Sequence, residues 1–378
     1  MNFIPGAAPR AAPSATPGAA YINAISSAVP PHDVHVAFTE YARGLLPERA
    51  RALFGRMAER SGIAHRWAPF APHPDFAEPG TAWLDVDGFY RRGRFPATSA
   101  RMAAYERAAP ALAEAAARGV ALDGVTHLVC ASCTGFMAPG LDQVLAERLA
   151  MAPGLQRTFI GFMGCYAAVP ALRAAAAIVR SEPDARVLVV NTELCSLHMQ
   201  DSADLETVLS FLLWGDGATA ALVTAEPHGL LLRDFRSVAL PGTADLMTWR
   251  IGDSGFRMHL SGKVPLRIER ALRDELARND DGGILRGGRP GEVAHWAVHA
   301  GGRTVLDAVE QGLGLDARAL APSRAVLHDR GNMSSATLMC VLERILGEDG
   351  EAGDGGEGIA MAFGPGLCAE TFRFRKLA

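Results

Sequence analysis

Short apolar runs alternate with helix-length segments through most of this 378-residue chain. VTHLVCAS (125–132) reads as a buried strand, and GLDQVLAERLA (140–150) follows it as a helix. RTFIGF (157–162) is a strand, a helix follows Cys165, and ARVLVVNTE (185–193) is another buried strand. LETVLSFLLWG (205–215) is helical, and ATAALVTAE (218–226) is a strand. Short strands that are apolar along their whole length are covered on both faces. The alternation therefore predicts an α/β chain whose parallel or mixed sheet lies between helices.

Two further helices are expected upstream, over 40–62 and over 98–118. The second half repeats the style. VPLRIERALRDELARND (264–280) is a helix, and EVAHWAVHAGG (292–302) is a strand running into a glycine turn. RTVLDAVEQGLGL (303–315) is a helix, SRAVLHDRGN (323–332) a strand and loop, and SSATLMCVLERILGE (334–348) a helix. GIAMAFGPG and ETFRFRKL read as a closing hairpin. The expected organisation is two similar α/β halves, residues 21–228 and 229–378. A disordered Ala/Pro-rich tail over 1–20 precedes them, lacking the basic and continuous apolar regions of a signal peptide. EDGEAGDGGEG (348–358) is expected to be a flexible acidic loop.

The bulk numbers exclude several classes. A chain this long can bury one large core or two medium ones. Its formal charge is −4, with acids and bases interspersed. No basic stripe invites nucleic acid. No apolar run reaches about 18 residues, so no membrane span is expected; the longest, AAVPALRAAAAIV, is broken by Pro170 and Arg173. The six cysteines are scattered through a large chain rather than packed as a disulfide scaffold. That pattern points to a reducing, cytoplasmic compartment.

Cys165, in GFMGCYAA (161–168), sits where a glycine turn becomes an alanine-rich helix. A helix start carries partial positive charge and free N–H groups. Both favour thiolate, so its pKa is expected to fall below that of a free thiol. Gly161 and Gly164 let the backbone turn tightly. Pro170 is expected to cost a hydrogen bond in the second helical turn. Position alone fits an inert core cysteine equally well. His299, before Gly301 and Gly302, and Asn332, in RGNMSSAT, shift the balance. Carboxyl ends of strands are where α/β sheets collect their sites. A thiolate needs a basic neighbour, and an acyl or enolate oxygen needs donors. Ser334 and Ser335 are candidate caps of the next helix. Cys130 and Cys133 spell CxxC, but no second pair follows at zinc spacing and no helix starts after Cys130. No metal site is expected. Cys195 reads as packing, and His198 as either cavity wall or core.

Several motifs coincide in order with one family: SGIAHRW (61–67), CASCTGF (130–136), GFMGCYAA, LLWGDGATA (212–220), VHAGG (298–302), GNMSSAT (331–337) and AFGPGL (362–367). From about residue 20 onward the chain resembles the type III polyketide synthases, the chalcone-synthase-like enzymes. The resemblance implies a thiolase-like fold, two α/β halves in a five-layered α-β-α-β-α arrangement, dimerised through the N-terminal half. It implies that Cys165 carries the starter and the growing chain as a thioester. His299 would be its ion-pair partner and, with Asn332, would drive malonyl-CoA decarboxylation. Trp214 matches a gatekeeper that is usually phenylalanine. Cavity positions would be Cys133, Thr134, Glu193, His198 and Trp249, together with Met258, Ser334 and the Phe363–Gly364–Pro365 turn. Arg56, Arg60 and Arg303 match cationic CoA contacts, while Leu53 replaces a lysine. The implied substrates are malonyl-CoA and an acyl-CoA starter, with no cofactor and no carrier protein.

The sequence departs from the plant pattern. Cys133 and His198 replace threonines, Trp249 lies near a glycine position, and Ala138 replaces a methionine that crosses the plant dimer. Large residues in the cavity argue against a chalcone-type product and leave pyrone, resorcinol or phloroglucinol types open. A β-ketoacyl-ACP synthase III also uses Cys, His and Asn, but GNMSSAT and AFGPGL favour the polyketide branch. A papain-like cysteine hydrolase shares the chain order, yet would place its cysteine near the mature N-terminus with disulfides and export. A non-catalytic relative would be expected to have lost one of the three residues.

Overall fold

A computed structural model describes residues 18–377, apart from 77, 79–80, 279 and 348–354. Residues 1–17 of the expected tail and 348–354 of the expected acidic loop lie outside it. The first half begins with β1 (Tyr21–Ala28), β2 (His32–Asp33), α1 (His35–Leu45), α2 (Glu48–Arg60), β3 (Trp67–Ala68) and α3 (Thr98–Ala117). It continues with β4 (His127–Ser132), α4 (Leu141–Arg148), β5 (Gln156–Gly161), α5 (Ala168–Ser181), β6 (Val187–Leu194), α6 (Leu205–Ser210) and β7 (Asp216–Thr224). The second half comprises β8 (Leu230–Ala239), β9 (Met247–Gly252), β10 (Gly255–Leu260), α7 (Val264–Leu276) and β11 (His295–Val298). Then come α8 (Arg303–Leu313), α9 (Ala321–Arg330), α10 (Ser335–Gly347), β12 (Gly356–Gly364) and β13 (Cys368–Lys376).

Nine strands run in the order β11-β12-β13-β8-β1-β7-β6-β4-β5. The join is the short antiparallel pairing of β1 with β8 at Tyr21 and Ile22. Outward from it the two sides match. In the first half, β1–β7 and β7–β6 are antiparallel and β6–β4 is parallel. In the second, β8–β13 and β13–β12 are antiparallel and β12–β11 is parallel.

The apolar runs bury both faces of each half-sheet. Leu128, Cys130, Leu188 and Val190 join one core with α3 and α1, whereas Val129, Ala131, Val187 and Val189 join a central core. The alternation follows from the period-2 geometry of strands. Ala297, Ala360 and Ala362 of the second half face the same central core, and Trp296, Val298, Ile359 and Met361 face a third, under α7 and α8. Helices α5 and α10 fill the central layer. Their small inward residues, such as Ala171, Ala175, Ala176 and Ala336, let two sheets approach one helical layer. The result is the expected α-β-α-β-α stack.

The structure corrects several local readings. Residues 323–332 are not a strand; 321–330 form α9, closed by Gly331 at φ 67. Of the apolar trio Ala-Val-Leu there, Val326 and Leu327 are buried on the inner side of the helix with Ser323. The helix expected over 40–62 is two helices, because Leu46 precedes Pro47 and is extended. Strands β1 and β8 were not legible, since both carry polar or charged residues at partly exposed positions. The hairpin β9–β10 was also missed. Pro170 is the third residue of α5, where the N–H has no intrahelical partner, so it costs no helical bond.

Candidate active site

Cys165 lies in a single 3-10 turn, Gly164–Tyr166, between β5 and α5. The turn is sharply folded: Phe162 has φ 57 and Gly164 φ 76. Gly164 is also needed for space, because a Cβ there would lie 2.8 Å from Pro365 Cδ. The Cys165 thiol is buried and shares its cavity with Ser334 and Asn332, whose polar groups favour the thiolate; the hydrogen bond of Ser334 Oγ is to Cys133 Sγ, at 3.1 Å. Ser334 is itself held at φ 49, a conformation that costs a non-glycine residue energy and clusters at functional sites. Asn332 Oδ1 accepts the Ser334 N–H at 2.8 Å, which leaves Nδ2 as the donor side. Nδ2 donates to the Gly301 carbonyl at 3.2 Å.

His299 follows β11 and is buried. Its Nδ1 has no partner among the described residues, and a Cβ on Gly301 would lie 3.3 Å from its Nε2. Gly301 thus links His299 to Asn332, which lines the same cavity as the thiol. Burial alone pushes the His299 imidazole down to about 4. Burial likewise pushes the Cys165 thiol up to about 11, outweighing the donors Ser334 and Asn332. The expected lowering by the helix start is therefore overturned for an isolated thiolate in this pocket. A dry site disfavours any single charge more than a helix end favours it.

The cavity at Cys165 measures about 20 Å³ and is lined by Cys133, Thr134, Trp214, Trp249, Met258 and Pro365, among others. That is room for roughly one water. Two indoles fill the rest: Trp214 and Trp249 meet edge-to-face at 5.7 Å, and Trp249 Nε1 donates to the Cys133 carbonyl at 2.9 Å. Cys195, read as packing, lines this cavity too.

Other expected wall residues stand behind it. His198 is fully buried; Nδ1 accepts the Phe256 N–H at 3.0 Å, so Nε2–H donates to the Thr134 carbonyl at 2.7 Å. Its ring stacks on Phe256 at 4.1 Å, and burial pushes it down to about 3. It is a neutral support, not a wall. Glu193, also fully buried, accepts from the Cys133 N–H (3.0 Å) and the Thr134 hydroxyl (2.8 Å) with one oxygen. The other accepts the Ser335 hydroxyl at 2.5 Å. It ties the β4 loop to the start of α10, and burial raises its pKa. Phe363 packs into the third core, leaving Gly364 beneath Tyr166 and Pro365 in the cavity.

Arg56 and Arg60 are exposed on α2, and Arg303 is the exposed first residue of α8. Arg303 Nη1 donates to the Arg60 carbonyl at 3.3 Å, so the ends of these helices meet. None of the three lines the catalytic cavity. Exposed Leu53 sits one turn before Arg56.

One residue inside a quoted motif had no assigned role. Arg66 is fully buried and donates to the carbonyls of Phe211 and Trp214, the latter at 3.2 Å, and to His35 Nδ1 at 3.0 Å. The Trp214 segment in turn bonds the Asn332 segment: Asn332 N–H donates to Leu213 O at 2.6 Å, and Gly215 N–H to Asn332 O at 3.0 Å. Arg66 therefore fixes the backbone that carries both Trp214 and Asn332. An arginine in an otherwise ordinary loop carries no signal of burial in sequence.

Residues 10–227 match the family of chalcone and stilbene synthases, N-terminal domain, and residues 234–378 match the C-terminal domain of the same family. The chain belongs to the type III polyketide synthases. Their condensing acyltransferase chemistry and thiolase-like α/β fold apply to it. The chain is 31% identical over 374 residues to 1,3,6,8-tetrahydroxynaphthalene synthase of Streptomyces peucetius subsp. caesius, covering 94% of this chain and 92% of that one. It is 32% identical over 388 residues to bisdemethoxycurcumin synthase of Oryza sativa subsp. japonica, with the same coverage. The crystal structure of PKS-I from the brown alga Ectocarpus siliculosus superposes with a TM-score of 0.83 at 29% identity, covering 97% of this chain and all of that chain. Similar relatives thus make different products, so the product must be argued from this cavity.

Proposed function

We propose that the protein loads an acyl-CoA starter on Cys165 and extends it iteratively with malonyl-CoA. The observation that carries this reading is that Asn332 lines the Cys165 cavity while its amide donates to the Gly301 carbonyl, in the turn that follows His299. Cys165 Sγ attacks the starter carbonyl, its proton passes to His299, and CoA leaves with that proton. Malonyl-CoA then loses CO2 as its C–C bond breaks, and the electron pair becomes an enolate. His299 Nε2–H and Asn332 Nδ2 donate to the enolate oxygen. The enolate carbon attacks the Cys165 thioester and the thiolate leaves; the chain, two carbons longer and now on CoA, returns to Cys165 by thioester exchange that releases CoA before the next round. No cofactor is needed for these steps.

The thiolate and imidazolium form together. Each alone is penalised by burial, but the pair carries no net charge and gains mutual attraction in a dry pocket. Trp214 and Trp249, which fill the cavity, favour compact pyrone-, resorcinol- or phloroglucinol-type products. Arg56, Arg60 and Arg303 are proposed to hold CoA phosphates directly, without a carrier protein. The exposed edge strand β5, with Phe159 and Phe136, supports a homodimer through the first half, which light scattering checks. Six free thiols support a cytoplasmic setting. Among the described residues no helix is long and apolar enough to cross a membrane.

The test is a product screen by mass spectrometry with malonyl-CoA and acetyl, fatty acyl, benzoyl or coumaroyl CoA. Products stepping by two-carbon units, absent with Cys165→Ala, are expected. Silence with every CoA thioester but condensation with malonyl-ACP would assign a carrier-dependent single condensation instead.

A further inference from the structure

Met258 lines two cavities. One is the catalytic cavity; the other, about 550 Å³ and open to solvent, lies between the β9–β10 hairpin and the segment around α6. Asp201, Thr207, Asp245, Arg250 and Arg257 also line the second. Arg250 and Arg257 stand directly opposite each other on the antiparallel strands. Like charges so placed are about 5 Å apart at Cβ and repel. Both are exposed, and neither has a hydrogen bond or ion pair among the described residues. Yet two carboxylates line the same cavity, and one of them, Asp201, accepts the Gly93 N–H at 2.6 Å instead. The ribbon that carries the arginines is fixed. Thr98, at the start of α3, donates its N–H to Asp253 O at 2.8 Å and accepts the Gly255 N–H at 2.8 Å.

We propose that Arg250 and Arg257 form an oxyanion subsite of the second cavity, and that Met258 is the wall between this subsite and the thioester chemistry. Two opposed guanidiniums with no protein partner match a phosphate or a carboxylate, either of which they can grip with paired N–H donors. The substrate class, an acyl-CoA, rests on the function proposed above. It offers both anions: the phosphates of CoA and the carboxylate of a malonyl group. α6 packs against α2 on one side and β10 on the other. The subsite is therefore separated by one short helix from the α2 surface that holds Arg56 and Arg60.

Calorimetric titration of wild type and of the Arg250→Gln/Arg257→Gln double variant tests this without requiring turnover. The probes are CoA, which carries phosphates only, succinyl-pantetheine, which carries a carboxylate and cannot decarboxylate, and pantetheine, which carries neither. Loss of about tenfold or more in CoA affinity alone would assign the phosphates; the same loss for succinyl-pantetheine alone would assign the carboxylate. Unchanged affinity for both anions, or equal weakening of all three probes including pantetheine, overturns the subsite. A wild-type enzyme inactive in the product screen but with these binding differences would refute the proposed reaction and leave the subsite standing.

Discussion

At the residue scale, Cys165 and His299 pose one electrostatic problem with one solution. Separately, burial pushes the thiol up to about 11 and the imidazole down to about 4. In the proposed mechanism the two are charged together and neutralise one another. Removing the imidazole should therefore return the thiol to the isolated, buried case. His299→Gln is expected to move the midpoint of Cys165 alkylation by iodoacetamide upward, toward about 11, relative to wild type. Equal midpoints in the two proteins would show that no pair forms. Cys165 and His299 each stand beside a glycine turn that follows a strand, as read from sequence, whereas Asn332 follows Gly331 at the end of helix α9, so only its glycine was a true signal there and the expected strand was not. Their neighbour Ser334 reads in sequence as a helix cap and as a cavity residue; its place beside the thiol comes with an unusual φ that no residue type announces. His198 was misplaced for a related reason. Its neighbours Thr134 and Phe256 are distant in sequence, and only their packing decides whether it faces the cavity.

At the element scale, the turn between β5 and α5 is a fixed mount for the nucleophile. Gly164→Ala meets two penalties there: a positive φ and a Cβ within 2.8 Å of Pro365. The backbone term alone costs roughly 1–2 kcal/mol. The variant is expected to melt several degrees lower and to lose acyl loading on Cys165 by more than tenfold. Calorimetry and intact-protein mass spectrometry read the two effects, and normal loading at normal stability would contradict them. The central strands β4, β6 and β7 were legible because burial on both faces makes them continuous apolar runs. β8 was not, since Arg233, Asp234 and Arg236 interrupt it at partly exposed positions. α9 failed in the opposite sense: three apolar residues suggested a strand, while Pro322 at the start and Gly331 at the end are the helix signals that decide it.

At the scale of the whole molecule, three layers of helix around two half-sheets enclose titratable groups that water would otherwise charge. His198 is held near 3, against 6.5 in an unfolded chain. Between those values the unfolded chain binds more protons, so stability is full above about pH 6.5 and falls as pH drops toward 3. Asp216, raised to about 7 by burial, acts oppositely and loses stability as pH rises through the same range. His198→Gln should therefore flatten the decline of Tm between pH 6.5 and 4; an unchanged slope would show that His198 does not titrate with folding.

The central claim is that Cys165 carries the acyl chain while His299 and Asn332 hold the enolate. The most direct measurement pairs the intact mass of the protein after acyl-CoA with the rate of CO2 release from malonyl-CoA, in wild type, Cys165→Ala and Asn332→Ala. The account predicts that Cys165→Ala abolishes the acyl adduct but still releases CO2. Asn332→Ala should keep the adduct and lose CO2 release by about 10²–10³-fold, the usual effect of deleting one oxyanion donor. Parallel loss of both activities in Asn332→Ala would contradict that division of labour.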